Sequence, residues 1–521
     1  MGTLGFWRLA EQDPTWIAAV DPDGTEYTAG ELLSRSNRLV HALRGLGLEK
    51  NDGICGLVPN GVDGLVLYLA ALQAGWYYTP INWHLTGPEI GYIVADSEAK
   101  AFFVHERHAE AGAKGADEAG LEASRRFSFG AVEGFTPVEE LLDGHPDTKP
   151  EDRSNGATMH YTSGTTGRPK GVRRALYGID PDDSAEFMTF LLSLFGIPPG
   201  VAVTGEPQAH LITSPNYHTA VTQFGGTALQ MGHTLVYMDK WDAEDTLKLI
   251  EKYKVTNTHM VPTHFKRLLS LPEETREKYD VSSMKWAIHA AAPCPVPLKY
   301  QMLEWWGPCI WEYYAATEGG GTIASPEDWL AHPGTVGNAW PISEVIVVDD
   351  DGNELPAGTP GTIYMKMAGA DFEYKGDKEK TAKSRLRDFF TLGDVGYLTE
   401  DGFLFLSDRK SDMIISGGAN IYPAEIENEI ILHPKVADVA VFGIPNDEWG
   451  EEIKAVIQPA EGVEPDEALT EELFEFLKPR LARMKWPRTI DYTEALPREP
   501  NGKLLKRKLR DPYWADRTTA I

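Results

Sequence analysis

The sequence predicts an α/β protein with a large multi-layer N-terminal domain, residues 1–408, and a small α+β C-terminal domain, residues 409–521. Three observations carry this. The chain has 521 residues, more than one ordinary core accommodates. Short apolar segments alternate with amphipathic ones through much of residues 1–340, the pattern of strands and helices stacked in layers. After Arg409 the character changes, and the remainder has about the length of one compact domain.

Each element follows from a local signal. The apolar run Leu65 to Leu72 is far too short to span a bilayer. Phe187 to Ile197 is an apolar stretch between Pro/Asp-rich flanks. It reads as a buried helix in preference to a lid over an apolar substrate or a lipid contact. Val345–Val348, Asp350-Asp351-Gly352 and Ile363–Met367 read as strand, turn, strand. Asp401-Gly402 between Tyr397-Leu398 and Phe403–Phe405 reads as a second hairpin. The domain boundary is expected at Asp408–Asp412. Beyond it Pro423 opens a Glu-rich helix, Val439–Phe442 and Ile453–Ile457 read as strands, and Leu473, Leu477 and Leu481 mark one helix face.

Composition narrows the partners. Lys plus Arg number 49 and Asp plus Glu 78, a net charge of −29. So acidic a surface repels nucleic acid and anionic membrane, and any anionic substrate needs local positive charge at its site. Cys55, Cys294 and Cys309 form no C-x-x-C pair, which fits a reduced, cytoplasmic protein. Met1 to Pro14 has no basic region followed by an apolar run, and Phe6 occupies the place a myristoylation signal gives to Ser or Thr. No stable membrane anchor is expected. A homodimer is compatible with the sequence.

The richest stretch is Tyr161 to Gly171, Tyr-Thr-Ser-Gly-Thr-Thr-Gly-Arg-Pro-Lys-Gly. Gly164, Gly167 and Gly171 let the backbone turn sharply and approach a ligand. Thr162, Ser163, Thr165 and Thr166 add hydroxyl donors and Lys170 a point charge, the parts of a phosphate cradle. A flexible linker would have no use for Arg-Pro-Lys-Gly, and the Gly-Lys-Ser/Thr series of a Walker A loop is absent. The stretch resembles the phosphate loop of the adenylate-forming ligases, the superfamily of acyl-CoA synthetases, luciferases and peptide-synthetase adenylation domains. Three further segments resemble that family in its order: Tyr313–Glu318; Thr391–Asp394 with Asp408–Asp412; and Asn501-Gly502-Lys503. Ala70 to Thr86 is similar to its N-terminal region.

The resemblance implies the adenylate-forming fold, whose C-terminal domain rotates, and ATP, Mg²⁺ and CoA as co-substrates and cofactor. Activating a carboxylic acid needs no side-chain nucleophile or general base, because the carboxylate is already ionised at pH 7. It needs positioning and charge neutralisation at the α-phosphorus. By resemblance the 162–170 loop holds the β- and γ-phosphates, Glu318 the Mg²⁺ and Thr317 the α-phosphate. Tyr314 and Ala315 border adenine; Asp394 and Arg409 bind ribose; Lys503 bridges carboxylate and α-phosphate. Ser411 falls at the hinge, where the family more often has Asp or Lys, and Ala315 stands where glycine is usual.

For the second step, Gly417 and Gly418 resemble the loop along which the pantetheine arm passes. Trp449 reads either as a stacking surface for the CoA adenine or as a packed core residue. The acyl site is assigned to His218, Gly225, Gly226, Ala290 and Ala291. Histidine at 218, where amino-acid-activating relatives carry aspartate, argues against an amino acid. Small walls favour a medium, long or bulky apolar acid, although the same residues also suit close packing of elements. His259, His264 and His289 form no metal-ligand pattern, and His105 and His108 no HExxH. The leading reading is an acyl-CoA synthetase. The alternatives are an acyl-AMP ligase serving a carrier protein and a catalytically silent nucleotide-binding regulator.

Overall fold

The computed structural model describes residues 3–162, 169–316, 318–368, 372–374, 378–409, 412–498 and 504–515. Two sheets dominate the larger part. One joins six parallel strands in the order Thr136–Pro137, Arg126–Phe129, Ala99–His105, Gly53–Leu57, Tyr77–Pro80 and Ala157–Thr158. The other is nine-stranded among the described residues. Its parallel centre runs Ile310–Ala315, Trp286–His289, Asn257–Met260, Ala209–Ile212, Thr234–Tyr237 and Ile17–Val20. Parallel sheets must be covered on both faces. Accordingly every residue of Gly53–Leu57, Tyr77–Pro80, Ala209–Ile212 and Asn257–Met260 is buried.

Helices Val62–Ala74 and Thr219–Gln230 supply shared cover. Leu65, Val221 and Phe224 join one core with Ile54 and Tyr78 of the first sheet and Ile212 and Leu235 of the second. Val62–Ala74 is apolar all round, as a helix enclosed on every side must be. All its residues but Asp63 are buried. Burial raises the Asp63 carboxyl to about 6, although Arg35 lies 3.6 Å away. Gly75 closes the helix in the left-handed region, φ 76°, and turns the chain into the next strand.

A third sheet contains both expected hairpins. Ser343–Val348 pairs antiparallel with Gly361–Met367, and Asp394–Leu398 with Leu404–Arg409. The region after residue 412 has its own apolar core, from Ile414 through Val441 and Ile457 to Leu481. It contains the long hairpin Val436–Asn446 and Gly450–Pro459, and Pro423 opens helix Pro423–Ile430.

Two expectations are corrected. Helix Glu467–Leu477 stops short of Leu481, because Pro479 disfavours helical backbone at Lys478 and offers no N–H. Leu481 still packs into the same core. Phe187 to Ile197 does not form one buried helix. Two short helices, Ala185–Met188 and Phe190–Leu194, divide it: Leu192, Phe195 and Ile197 are buried while Phe187 is 68% exposed. Arg153 ties the flank down by gripping Asp180 and Asp182, and Trp286 Nε1 donates to Phe195 O at 2.9 Å.

A buried ion pair braces the nine-stranded sheet. Lys299 Nζ lies 2.7 Å from Glu312 Oε2 and 4.6 Å above the Trp329 ring. Lys299→Met should cost about 3–5 kcal/mol in urea unfolding, because it strands a buried carboxylate. Burial raises the Glu312 pKa in the folded state, so that loss should shrink as the pH falls and Glu312 protonates. Lys299→Met with Glu312→Leu should recover most of it.

Candidate active site

The carboxyl ends of the parallel strands gather the motif loops at one edge, where open α/β sheets place their ligands. Ala209–Ile212 leads to Ser214–His218, Trp286–His289 to Ala290–Ala292, and Ile310–Ala315 to Glu318. His218 caps helix Thr219–Gln230. Ala290 is buried, and Ala291 is exposed with φ 72°, a left-handed conformation that alanine adopts at a cost.

Tyr314 and Asp394 meet although the sequence separates them by 80 positions. Tyr314 Oη donates to Asp394 Oδ2 at 2.6 Å, and Arg409 Nε lies 3.3 Å from Asp394 Oδ1. Asp394 and Arg409 are directly opposed across their strands. Burial, then the neighbouring Asp394 carboxylate, pushes the Tyr314 phenol well above its usual range, so it stays a donor at physiological pH. The Ala315 methyl faces Gly321, where an added Cβ would sit 2.9 Å from it; a glycine there lets the two strands close.

Glu318 is buried, and its Oε1 accepts from Tyr374 Oη at 2.6 Å. Tyr374 lies on a strand paired with Lys170–Arg174, and the Arg174 guanidinium adds attraction to Glu318. Neither Tyr374 nor Arg174 was predicted: both lie outside the recognisable segments, and only tertiary pairing brings them in. Glu318 Oε2 has no hydrogen-bond partner among the described residues, so this acidic, partly oriented oxygen suits a hard cation.

The phosphate-loop stem is an antiparallel pair, His160–Thr162 with Lys170–Arg174, in which Thr162 faces Lys170. Tyr161 Oη donates to Asp96 Oδ2 at 2.6 Å and Tyr92 Oη to Pro169 O at 3.1 Å, fixing both legs of the stem to helix Gly87–Asp96. Ser163, Gly164, Thr165, Thr166, Gly167, Thr317, Ser411 and Lys503 lie outside the described residues, as does the side chain of Thr162.

Gly417 and Trp449 also meet. Gly417 N donates to Trp449 O at 2.8 Å, and the indole packs beside Gly417 although Trp449 as a whole is 45% exposed. Gly225 and Gly226 line a small cavity beside Tyr68, Tyr78 and Tyr237, and Ala290 and Ala291 are not among its walls. Among the described residues no group of three His, Cys, Asp or Glu could hold a metal ion, and no helix is long and apolar enough to cross a membrane.

Residues 6–370 match the AMP-binding enzyme family and residues 425–503 its C-terminal domain. The chain belongs to the AMP-binding enzyme family. It is an acid–thiol ligase that forms acyl-adenylates. The long-chain-fatty-acid–CoA ligase FadD13 of Mycobacterium tuberculosis is 31% identical over 98% of this chain and 98% of its own. The fatty acid–[acyl-carrier-protein] ligase ScoC of Streptomyces coeruleorubidus is 29% identical over 97% and 95%. The crystal structure of ATP-bound MatB from Rhodopseudomonas palustris superposes with a TM-score of 0.80 at 29% identity, covering 99% of each chain.

The two adjacent glycines differ in a measurable way. A Cβ on Gly417 would sit 2.6 Å from Trp449 Cε3, whereas nothing lies within 4 Å of one on Gly418. Both have positive φ, 58° and 80°. Gly418→Ala should therefore cost about 1 kcal/mol of backbone strain. Gly417→Ala should cost about 1–3 kcal/mol more from overpacking, read as the difference between their urea unfolding curves.

Proposed function

We propose that this ligase activates an apolar carboxylic acid, medium-chain, long-chain or bulky, and passes the acyl group to CoA. The observation that carries the reading is the Tyr314–Asp394–Arg409 cluster, an oriented carboxylate and guanidinium beside the buried Glu318. In the first step a carboxylate oxygen attacks the α-phosphorus of ATP. The bond from that phosphorus to the bridging oxygen breaks, and pyrophosphate leaves. Asp394 accepts from the ribose hydroxyls, Arg409 donates to the same sugar, and Tyr314 lies along adenine. Lys170 and the hydroxyls of the 162–167 segment hold the leaving phosphates. Thr317 and Lys503 neutralise the α-phosphate, and Lys503 also holds the attacking carboxylate. Glu318 would hold Mg²⁺, which supplies charge neutralisation on the phosphates when bound.

In the second step the CoA thiolate attacks the acyl carbon, the bond to the phosphate oxygen breaks, and AMP leaves. The C-terminal domain, from residue 409, rotates about Ser411 between the steps. It withdraws Lys503 and brings up Gly417 and Gly418, beside which Trp449 receives the CoA adenine. A carrier protein is the second reading for the acceptor, favoured by the exposed apolar pair Ile415 and Trp449, 43% and 45% accessible, next to Gly417.

Pyrophosphate release over a panel of carboxylic acids, with CoA or a phosphopantetheinylated carrier as acceptor, tests the reading. Release that depends on an apolar acid and thioester formed on CoA are expected. Thioester on the carrier alone would assign the second acceptor. Lys503→Ala should slow acyl-AMP formation by about a hundredfold or more while largely sparing thioester formation from supplied acyl-AMP. Equal loss in both half-reactions would remove Lys503 from its role.

A further inference from the structure

Three tyrosines whose hydroxyls have no hydrogen-bond partner among the described residues line one small, partly open cavity. Tyr68 comes from helix Val62–Ala74, Tyr78 from the six-stranded sheet and Tyr237 from the nine-stranded sheet. Their rings are 8%, 3% and 4% exposed. None of the three hydroxyls hydrogen-bonds to another described residue. The side-chain amide of Asn216 lines the same cavity, also without a partner among the described residues. The cavity holds about 30 Å³, room for one oxygen-sized polar group.

Buried hydroxyls left unpaired are costly, and phenylalanine would fill the same space without the penalty. Three tyrosines from three separate elements therefore point to something polar between them. The glycines around them preserve the arrangement. A Cβ on Gly226 would sit 2.2 Å from Tyr68 Oη, and one on Gly56 2.9 Å from Tyr78 Oη. The cavity also borders the proposed acyl site. Asn216 and Thr222, both in its wall, flank His218, and Thr222 Oγ1 bonds Asn216 O and His218 O.

We propose that this cavity is the far end of the acyl site and binds a hydroxyl or carbonyl oxygen remote from the substrate's carboxylate. The inference rests on the acid-activating reading above and narrows it: the substrate is an apolar acid bearing a distal oxygen function. Phenols donate or accept and the Asn216 amide does both, so the site takes either kind of oxygen. An acid ending in plain hydrocarbon would leave the hydroxyls unpaired. Sites built to hydrogen-bond a substrate group reject analogues that lack it.

The test is pyrophosphate release with acids matched in length and bulk, each with and without a distal hydroxyl or keto group, run on the full-length enzyme and on Tyr68→Phe, Tyr78→Phe and Tyr237→Phe. The native enzyme should prefer the oxygenated acids by about tenfold or more in kcat/KM. The phenylalanine variants should narrow that ratio, through KM for the oxygenated acid, with a melting temperature equal to or above the native one. Release without preference would overturn the inference and leave the acid-activating reading standing. A preference that survives all three substitutions would likewise overturn it and assign the hydroxyls to an ordered water only. Failure of every acid to release pyrophosphate would overturn the acid-activating reading, and this inference with it.

Discussion

Parallel strands buried on both faces can offer polar side chains to a ligand only at their ends, and the candidate site follows from that constraint. Within the nine-stranded sheet, one run of buried polar side chains is satisfied internally. His210 Nδ1 pairs with Asn257 Oδ1 at 2.5 Å, Asn257 Nδ2 lies 3.2 Å from His233 Nδ1, and His233 Nε2 reaches Pro198 O at 2.9 Å. Burial lowers His210 and His233 to about 4, so this hydrogen-bonded run is neutral at physiological pH. Polar side chains become available only past the last ladder residue of each strand. That is where Ser214–His218, Ala290–Ala292 and Glu318 stand.

The third sheet completes the candidate site by setting Asp394 and Arg409 against the end of strand Ile310–Ala315. Both oxygens of Asp394 are engaged, Oδ2 by Tyr314 and Oδ1 by Arg409. The carboxylate is thus oriented before any ligand arrives, which cuts the ordering cost of binding. Glu318 is prepared the same way by Tyr374. Its strand belongs to the small sheet that carries the phosphate-loop stem, so one pairing couples the stem to the carboxylate.

What was legible in the sequence depended on how local the cause was. Asp350–Gly352 and Asp401–Gly402 act within four residues, and both hairpins form around them. Glu318, Asp394 and Arg409 lie in short motifs of particular polar residues, so they could be named as candidates before the structure placed them near Tyr314. The stop at Leu477 was also written locally, in Pro479, but the continuing leucine spacing masked it. Partners supplied by distant elements left no such trace. Tyr374 reaches Glu318 across 56 positions, and Tyr68, Tyr78 and Tyr237 meet through three different elements. Gly225 and Gly226, singled out by their size, line the cavity, but the phenols opposite them had no sequence signal.

The junction between the two parts has a different physics from either core. The core of residues 414–492 shares no member with the cores before it. The hydrogen bonds seen across the boundary among the described residues are few. Ala424 N donates to Asp408 Oδ2 at 2.8 Å, and Lys266 Nζ reaches Ile431 O at 3.4 Å. Lys506 Nζ sits 2.9 Å from Glu427 Oε1, with Asp408 close enough to add its attraction. Burial alone would lower the Lys506 ammonium, and the two carboxylates more than offset it. Such contacts can be exchanged for water, or for other polar partners, at far smaller cost than exposing apolar core. The proposed rotation about Ser411 therefore asks neither part to unfold. It requires that Lys266 release the Ile431 carbonyl and that Asp408 give up the Ala424 amide and part of its hold on Lys506, while the Lys506–Glu427 pair, lying wholly beyond the pivot, travels intact.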